Sequence, residues 1–306
     1  MSKSEGSVET VSYTYCPPGE GSRQTRLKKQ INIPVVSNGN RLQEMQEIVP
    51  DPIVAFFGYG HNLRSTRRTL DWLATQRIHA VSPVLPLREL PCGRHVLVQA
   101  CGEMPGVVVD FAKTKTDATK LSGFGHSQGG AVVSRAVDYN PDVLGDLSLL
   151  ASAGQRLVDF DHQALQPGEL VARFLRNGRE QSLSELETWI AASGISRELA
   201  LDLVKRRFGE KVQALDIDLP RAIVRHAAQN RVGLFFGRND PVFPPEEGRA
   251  AIQAALQATP DGEKNAANII FEIIPGAHDS PNSRSGRAQV LQAFSFLPQY
   301  QIFATT

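Results

Sequence analysis

Residues 121–136 restrict the fold more than any other stretch of the chain. Leu121-Ser122-Gly123-Phe124-Gly125-His126-Ser127-Gln128-Gly129-Gly130 reads as a short buried strand running into Gly-x-Ser-x-Gly. Ala131-Val132-Val133-Ser134-Arg135-Ala136 follows at once as a helix. A chain that passes from strand to helix in one residue strains its backbone, and the glycines at 125 and 129 leave room where a side chain would collide. Strand, sharp turn and helix in this order are the setting of a nucleophile elbow, which would leave the Ser127 hydroxyl exposed at the carboxyl edge of a sheet.

The rest of the chain supplies such a sheet. Residues 8–15 and 31–36 alternate as an antiparallel pair across the turn-forming Cys16-Pro17-Pro18-Gly19. Residues 53–57 are a continuous apolar run, suited to a strand covered on both faces, 147–152 read as another buried strand, and 78–82, 231–237 and 268–274 read as further strands. Helices are expected from about 62 to 76, 105 to 117, 244 to 258 and 285 to 296. Residues 83–103 mix prolines and glycines with apolar residues, and Val96-Leu97-Val98 fits either strand or helix. From Gln155 to about Gln229 only helical patterns occur. The expectation is an α/β fold: a doubly wound, mostly parallel sheet with an antiparallel edge and an inserted helical cap. The core would comprise residues 1–154 and 230–306, and the cap 155–229.

Composition narrows the function. A formal charge of +1 over 306 residues gives no footprint for nucleic acid. Clusters such as Arg64-Ser65-Thr66-Arg67-Arg68 and Lys205-Arg206-Arg207 read as solvated helix faces. Three cysteines, Cys16, Cys92 and Cys101, have no metal-ligand spacing and suggest neither a disulfide framework nor a zinc site. No apolar run approaches the length of a membrane span, and the polar N-terminus lacks a signal-peptide core, so a cytoplasmic location is expected.

A serine hydroxyl is a poor nucleophile until a base takes its proton, and the base needs a partner to hold it. Two loops at the expected carboxyl edge offer these groups. Gly237-Arg238-Asn239-Asp240-Pro241-Val242-Phe243-Pro244-Pro245 follows the strand 231–236, and Pro275-Gly276-Ala277-His278-Asp279-Ser280-Pro281 follows the strand 268–274. The chain order is serine, acid, histidine. Asp240 also suits a cap for the helix beginning near Pro244, a role compatible with the first. Asp159, soon after the strand 147–152, is the rival acid. Asp279, adjacent to His278, reads as a loop residue; His126 reads as packed at the elbow; His61 reads equally as pocket lining or structure.

The elbow Gly-His-Ser-Gln-Gly-Gly, the loop Gly-Arg-Asn-Asp-Pro-Val-Phe-Pro-Pro and the loop Pro-Gly-Ala-His together resemble the α/β-hydrolase superfamily over roughly residues 50 to 298. The resemblance implies Ser127 as nucleophile, Asp240 as the acid orienting the imidazole and His278 as general base. It implies an oxyanion hole built from the backbone N–H groups of Gln128 and Tyr59. Two positions depart from the common pattern: Phe57 stands where relatives carry histidine, and Ala277 where many carry glycine. The implied activity is hydrolysis of a carboxylic ester or related acyl bond on a small-molecule substrate, without metal or organic cofactor. An acyltransferase or thioesterase for carrier-bound chains is the alternative enzyme, and a non-catalytic ligand receptor is the alternative outside enzymes.

Overall fold

A computed structural model describes residues 7–15, 29–44, 51–58, 61–85, 94–152, 219–240 and 242–300. Tyr59, Asp159, Cys16, Cys92 and most of the interval expected as a cap lie outside the described residues.

Eight strands form one sheet in the order β1-β2-β4-β3-β5-β6-β7-β8. They are β1 (Ser7–Tyr15), β2 (Lys29–Ser37), β3 (Ile53–Phe56), β4 (Ala80–Pro83), β5 (Gly123–His126), β6 (Leu147–Leu150), β7 (Val232–Gly237) and β8 (Ile269–Ile274). β1 and β2 pair antiparallel, from Ser7 opposite Ser37 to Tyr15 opposite Lys29. β2 is antiparallel to β4, and every pairing from β4 to β8 is parallel. The described helices are α1 (Gly39–Glu44), α2 (Leu63–Thr75), α3 (Arg94–Lys113), α4 (Gln128–Tyr139), α5 (Leu219–His226), α6 (Pro245–Ala258), α7 (Gly262–Ala266) and α8 (Arg284–Phe294).

The largely apolar runs follow from burial on both faces. Successive strand residues point to opposite sides, so each run divides between two cores. Val54, Phe56, Leu147, Leu149, Val232, Leu234 and Phe236 face one core with Met104 and Val108 of α3 and Val132 of α4. Ile53, Ala55, Phe57, Phe124, Leu150 and Phe235 face the other, with Leu70 and Leu73 of α2 and Val290 and Phe294 of α8. Phe124 stacks on Phe294 with ring centroids 4.5 Å apart. Each fully buried side chain of this kind contributes about 1.5–3 kcal/mol from the transfer of apolar surface out of water.

Asn38 joins the antiparallel edge to the parallel body. Its Oδ1 accepts from Ala80 N at 2.9 Å, and its Nδ2 donates to the Leu70 and Ile78 carbonyls at 2.9 Å each. One buried side chain thereby ties the end of β2 to both α2 and β4.

Three features differ from the sequence expectation or were not anticipated by it. α3 is one helix from 94 to 113, where a helix was expected only from 105 and the preceding stretch was ambiguous. Pro105 lies inside it; a proline removes one backbone donor from a helix without ending it when packing holds both sides, and Cys101, Met104, Val108 and Val109 around it are buried. The short helices α1 and α7 carried no sequence signal. α5, at the end of the interval expected as cap, buries Leu219 and Ile223, with Ala227 just after it, in the same core as α3 and α4.

Candidate active site

The elbow is built by close approach of backbone to backbone. Ser127 has φ 55° and ψ −124°, a conformation that costs a non-glycine residue about 1–3 kcal/mol and survives only when its surroundings impose it. Two glycines show what imposes it. A Cβ on Gly125 would lie 2.5 Å from the Gly130 Cα, and one on Gly129 would overlap the Phe56 carbonyl. β5 and α4 therefore meet with no side chain between them, and α4 packs its first turn directly on β3. The Ser127 N–H donates to the Leu150 carbonyl at 3.0 Å, and its own carbonyl accepts from Gly130 N at 3.0 Å. Although it occupies the N-cap of α4, its side chain makes no capping bond, so the hydroxyl is free to point elsewhere.

That hydroxyl meets His278. Ser127 Oγ lies 3.0 Å from His278 Nε2, and His278 Nδ1 lies 3.0 Å from Asp240 Oδ2. Ser127, His278 and Asp240 are 7%, 4% and 3% exposed, so all three are shielded from bulk water. The carboxylate can only accept, so Nδ1 carries the proton and donates to Asp240. Nε2 is then left with its lone pair directed at the serine. The second carboxylate oxygen, Oδ1, accepts from the backbone N–H groups of Val242 and Phe243 at 2.8 and 2.9 Å. Asp240 therefore closes a turn within its own loop with Oδ1 and faces the histidine with Oδ2; it does not cap the following helix, whose N-cap is Pro244 with no side-chain capping bond.

The loops bearing Asp240 and His278 are fastened to one another. They leave neighbouring strands where Gly237 pairs with Ile274. Asn239 N then donates to the Gly276 carbonyl at 3.0 Å. Gly276 turns with φ +107°, open only to glycine at low cost. From behind, Gln289 of α8 donates its side-chain amide to the Pro275 and Ala277 carbonyls at 2.9 and 3.1 Å. Asp279 Oδ2 accepts from Ala277 N at 3.3 Å, within its own loop. Gln289 was not anticipated from sequence; nothing in the run Arg-Ala-Gln-Val distinguishes a buried clamp from a solvated helix residue.

Around the triple sit aromatic and imidazole rings. Phe243 lies edge-on to His278 at 5.3 Å, and His126 stacks on it at 5.5 Å with planes 27° apart. His126 is held well below the ordinary histidine range, chiefly by burial and further by the neighbouring His278 and His61. It therefore stays neutral beside His278 and does not oppose a positive charge there. His61, stacked on Phe57 at 5.1 Å, is lowered to about 4 by burial. Among the described residues, Nδ1 of His61 and the side-chain nitrogen of Gln128 are buried without a hydrogen-bond partner, and the His126 ring lies beside the Asp279 backbone. Gly58 presses on this group so closely that a Cβ there would fall 2.9 Å from Ser127 Cβ and 3.3 Å from His126 Nδ1.

Gln128 opens α4, where the first four backbone N–H groups have no partner within the helix and the helix dipole is positive. An anion forming beside Ser127 would meet that end. Among the described residues no group of three or more His, Cys, Asp or Glu side chains could hold a metal ion. Cys101 is buried and unpaired, with burial pushing its thiol up to about 12. None of the described helices is long and apolar enough to cross a membrane.

No protein-family model matches the chain, and no curated protein matches it in sequence. Solved structures do resemble it. A Burkholderia cenocepacia protein provisionally assigned as an aryl esterase superposes with a TM-score of 0.57 at 14% identity, covering 95% of this chain and 99% of the other. The enol-lactonase from Burkholderia xenovorans LB400 gives 0.56 at 16% identity, over 86% and 96% of the two chains. The serine hydrolase CCSP0084 from Cycloclasticus zankles gives 0.51 at 14% identity, over 93% and 98%. With this strand order, this turn at Ser127 and these structural likenesses, the chain has the α/β-hydrolase fold.

Proposed function

We propose that the protein is a serine hydrolase cleaving a carboxylic ester or closely related acyl bond through an acyl-enzyme. The observation that carries the reading is the unbroken relay from Ser127 Oγ through both nitrogens of His278 to Asp240, with each step at 3.0 Å. His278 Nε2 takes the hydroxyl proton as Oγ attacks the acyl carbon. Asp240 holds the ring in the tautomer that leaves Nε2 basic and stabilises the imidazolium that forms. The carbonyl oxygen becomes an oxyanion, stabilised by the N–H of Gln128 at the start of α4 and by that of Tyr59; such a donor lowers the barrier by on the order of 3 kcal/mol. The imidazolium then gives its proton to the leaving oxygen as the tetrahedral intermediate collapses. Water, deprotonated by the same nitrogen, attacks the acyl-enzyme and releases the acid, restoring the serine.

An ester is favoured over other acyl bonds because the structural neighbours named above include proteins assigned as an aryl esterase and an enol-lactonase. The test is a panel of acyl esters, lactones and thioesters of graded chain length, assayed with wild type and Ser127→Ala in parallel. Turnover of at least one ester that disappears in Ser127→Ala is expected. Equal rates in the two purified proteins would end the proposal.

A further inference from the structure

Away from the triad, the face of the sheet covered by α2 and α8 carries an open cleft of about 610 Å3. It lies between α1, α2 and α8, and its lining includes Arg41, Arg68, Trp72 and Arg287, with Asp71 as its one carboxylate. None of Ser127, Asp240 or His278 lines it. Its walls are fixed: Thr69 Oγ1 on α2 donates to Asn282 Oδ1 at 3.1 Å, joining the helix to the loop ahead of α8. Arg41 is bridged to Asp71 at 3.1 Å, which neutralises the one carboxylate among the described lining residues. Two guanidinium groups, Arg68 and Arg287, then remain without a carboxylate partner among the described residues, leaving the cleft with an excess of two positive charges.

Arg287 is held in place before any ligand arrives. Its guanidinium lies over the Trp72 ring at 5.2 Å, and its Nε is buried with no hydrogen-bond partner. A partly dehydrated cation with an unmet donor is costly alone and gains most from an anion that can approach it. Guanidinium groups match the oxygens of phosphate and sulfate in fork geometry, and the indole offers an apolar flank beside them. Arg68, read from sequence as part of a solvated face, is exposed on α2 and lines the same cleft.

The geometry points to a binding site in this cleft for a small oxyanion ligand, a phosphate or sulfate monoester, whose anionic head is held by Arg68 and Arg287 and whose planar group lies against Trp72. The site is separate from the proposed reaction at Ser127 and does not depend on it.

Calorimetric titration of the full chain with 1-naphthyl phosphate, at fixed ionic strength because exposed charges are screened by salt, tests the assignment. Saturable binding at one site is expected, and inorganic phosphate, lacking the planar group, should bind more weakly. Arg68→Gln alone, an exposed substitution that leaves the fold undisturbed, should weaken 1-naphthyl phosphate at least threefold. Arg68→Gln with Arg287→Gln should weaken it at least tenfold, with thermal unfolding monitored to verify folding. Trp72→Leu should abolish the advantage of 1-naphthyl phosphate over inorganic phosphate. Binding should persist in Ser127→Ala, and ester turnover should be unchanged in Arg68→Gln. The inference is overturned by an absence of saturable binding, by equal affinity in wild type and Arg68→Gln, or by loss of binding in Ser127→Ala, which would put the ligand at the serine.

Discussion

Replacing Asp240 by asparagine probes the relay through a choice that the structure forces on the amide. Oδ1 of Asp240 accepts two backbone N–H groups, from Val242 and Phe243, while Oδ2 faces His278 Nδ1. Asparagine has one oxygen for these two tasks. If the oxygen stays with the backbone, the NH2 group donates to Nδ1, the imidazole carries its proton on Nε2, and it cannot take one from Ser127. If the amide turns over, the imidazole keeps its working tautomer but two hydrogen bonds are lost and donors oppose donors. Two neutral bonds at about 1 kcal/mol each put the unproductive orientation ahead by about 2 kcal/mol, or roughly thirtyfold in population. Loss of the carboxylate charge beneath the imidazolium adds to this; amidating the acid of a serine triad typically lowers kcat by about 10^4. The expected result for Asp240→Asn is a fall in kcat of about 10^3–10^4 on a p-nitrophenyl ester, with KM within about threefold and little change in Tm, the unproductive orientation being the one that preserves the loop. A folded variant that loses less than tenfold in kcat would refute the role given to Asp240.

Gln289→Leu removes both donors to the Pro275 and Ala277 carbonyls while keeping side-chain bulk. Stability should fall by about 1–3 kcal/mol in denaturant titration as the two carbonyls lose their partner, and kcat should fall about tenfold with KM unchanged because His278 is less well held; a fall in stability with unaltered kcat would reduce Gln289 to a purely structural residue. The protein should also lose stability in mild acid. Burial lowers His61 to about 4, whereas in the unfolded chain it takes a proton below about 6.5. Its contribution is therefore complete above pH 6.5 and is lost as pH falls from there to about 4, amounting to about 2 kcal/mol at pH 5. His126 and His226, also lowered by burial, act in the same direction. His61→Phe, which can keep the stack on Phe57, should flatten the stability profile between pH 6.5 and 4, and an unchanged slope would show that His61 is not buried neutral.

Much of this architecture was legible because it depends on local sequence. The continuous apolar run at 53–57 announced a strand covered on both faces, and it does divide its residues between the two cores, as do the strands expected at 147–152 and 231–237. The glycines around Ser127 announced a turn too tight for side chains, and the contacts of Gly125 and Gly129 show where those side chains would have fallen. What stayed hidden depends on partners remote in sequence. The placement of β2 beside β4 rests partly on Asn38, whose three hydrogen bonds reach residues 32 to 42 positions away. The first half of α3 escaped notice because Pro86, Pro91 and Gly93 just ahead of it look like punctuation and Val96-Leu97-Val98 fits either strand or helix. In the fold Gly102 lets α4 approach, and a Cβ there would come within 3.1 Å of Tyr139. Gln289 was invisible for the same reason: a glutamine on a helix becomes a clamp only when a loop brings two carbonyls to it.

The central claim is that Ser127 is an activated nucleophile, its hydroxyl 3.0 Å from His278 Nε2. A fluorophosphonate reacts with such a serine and spares an ordinary one. Treatment of the purified full chain followed by intact-mass and peptide mass spectrometry should show one adduct per chain, on Ser127, absent from Ser127→Ala and strongly slowed in His278→Ala. A folded protein that takes up no label at Ser127, or labels equally well without His278, would contradict the account.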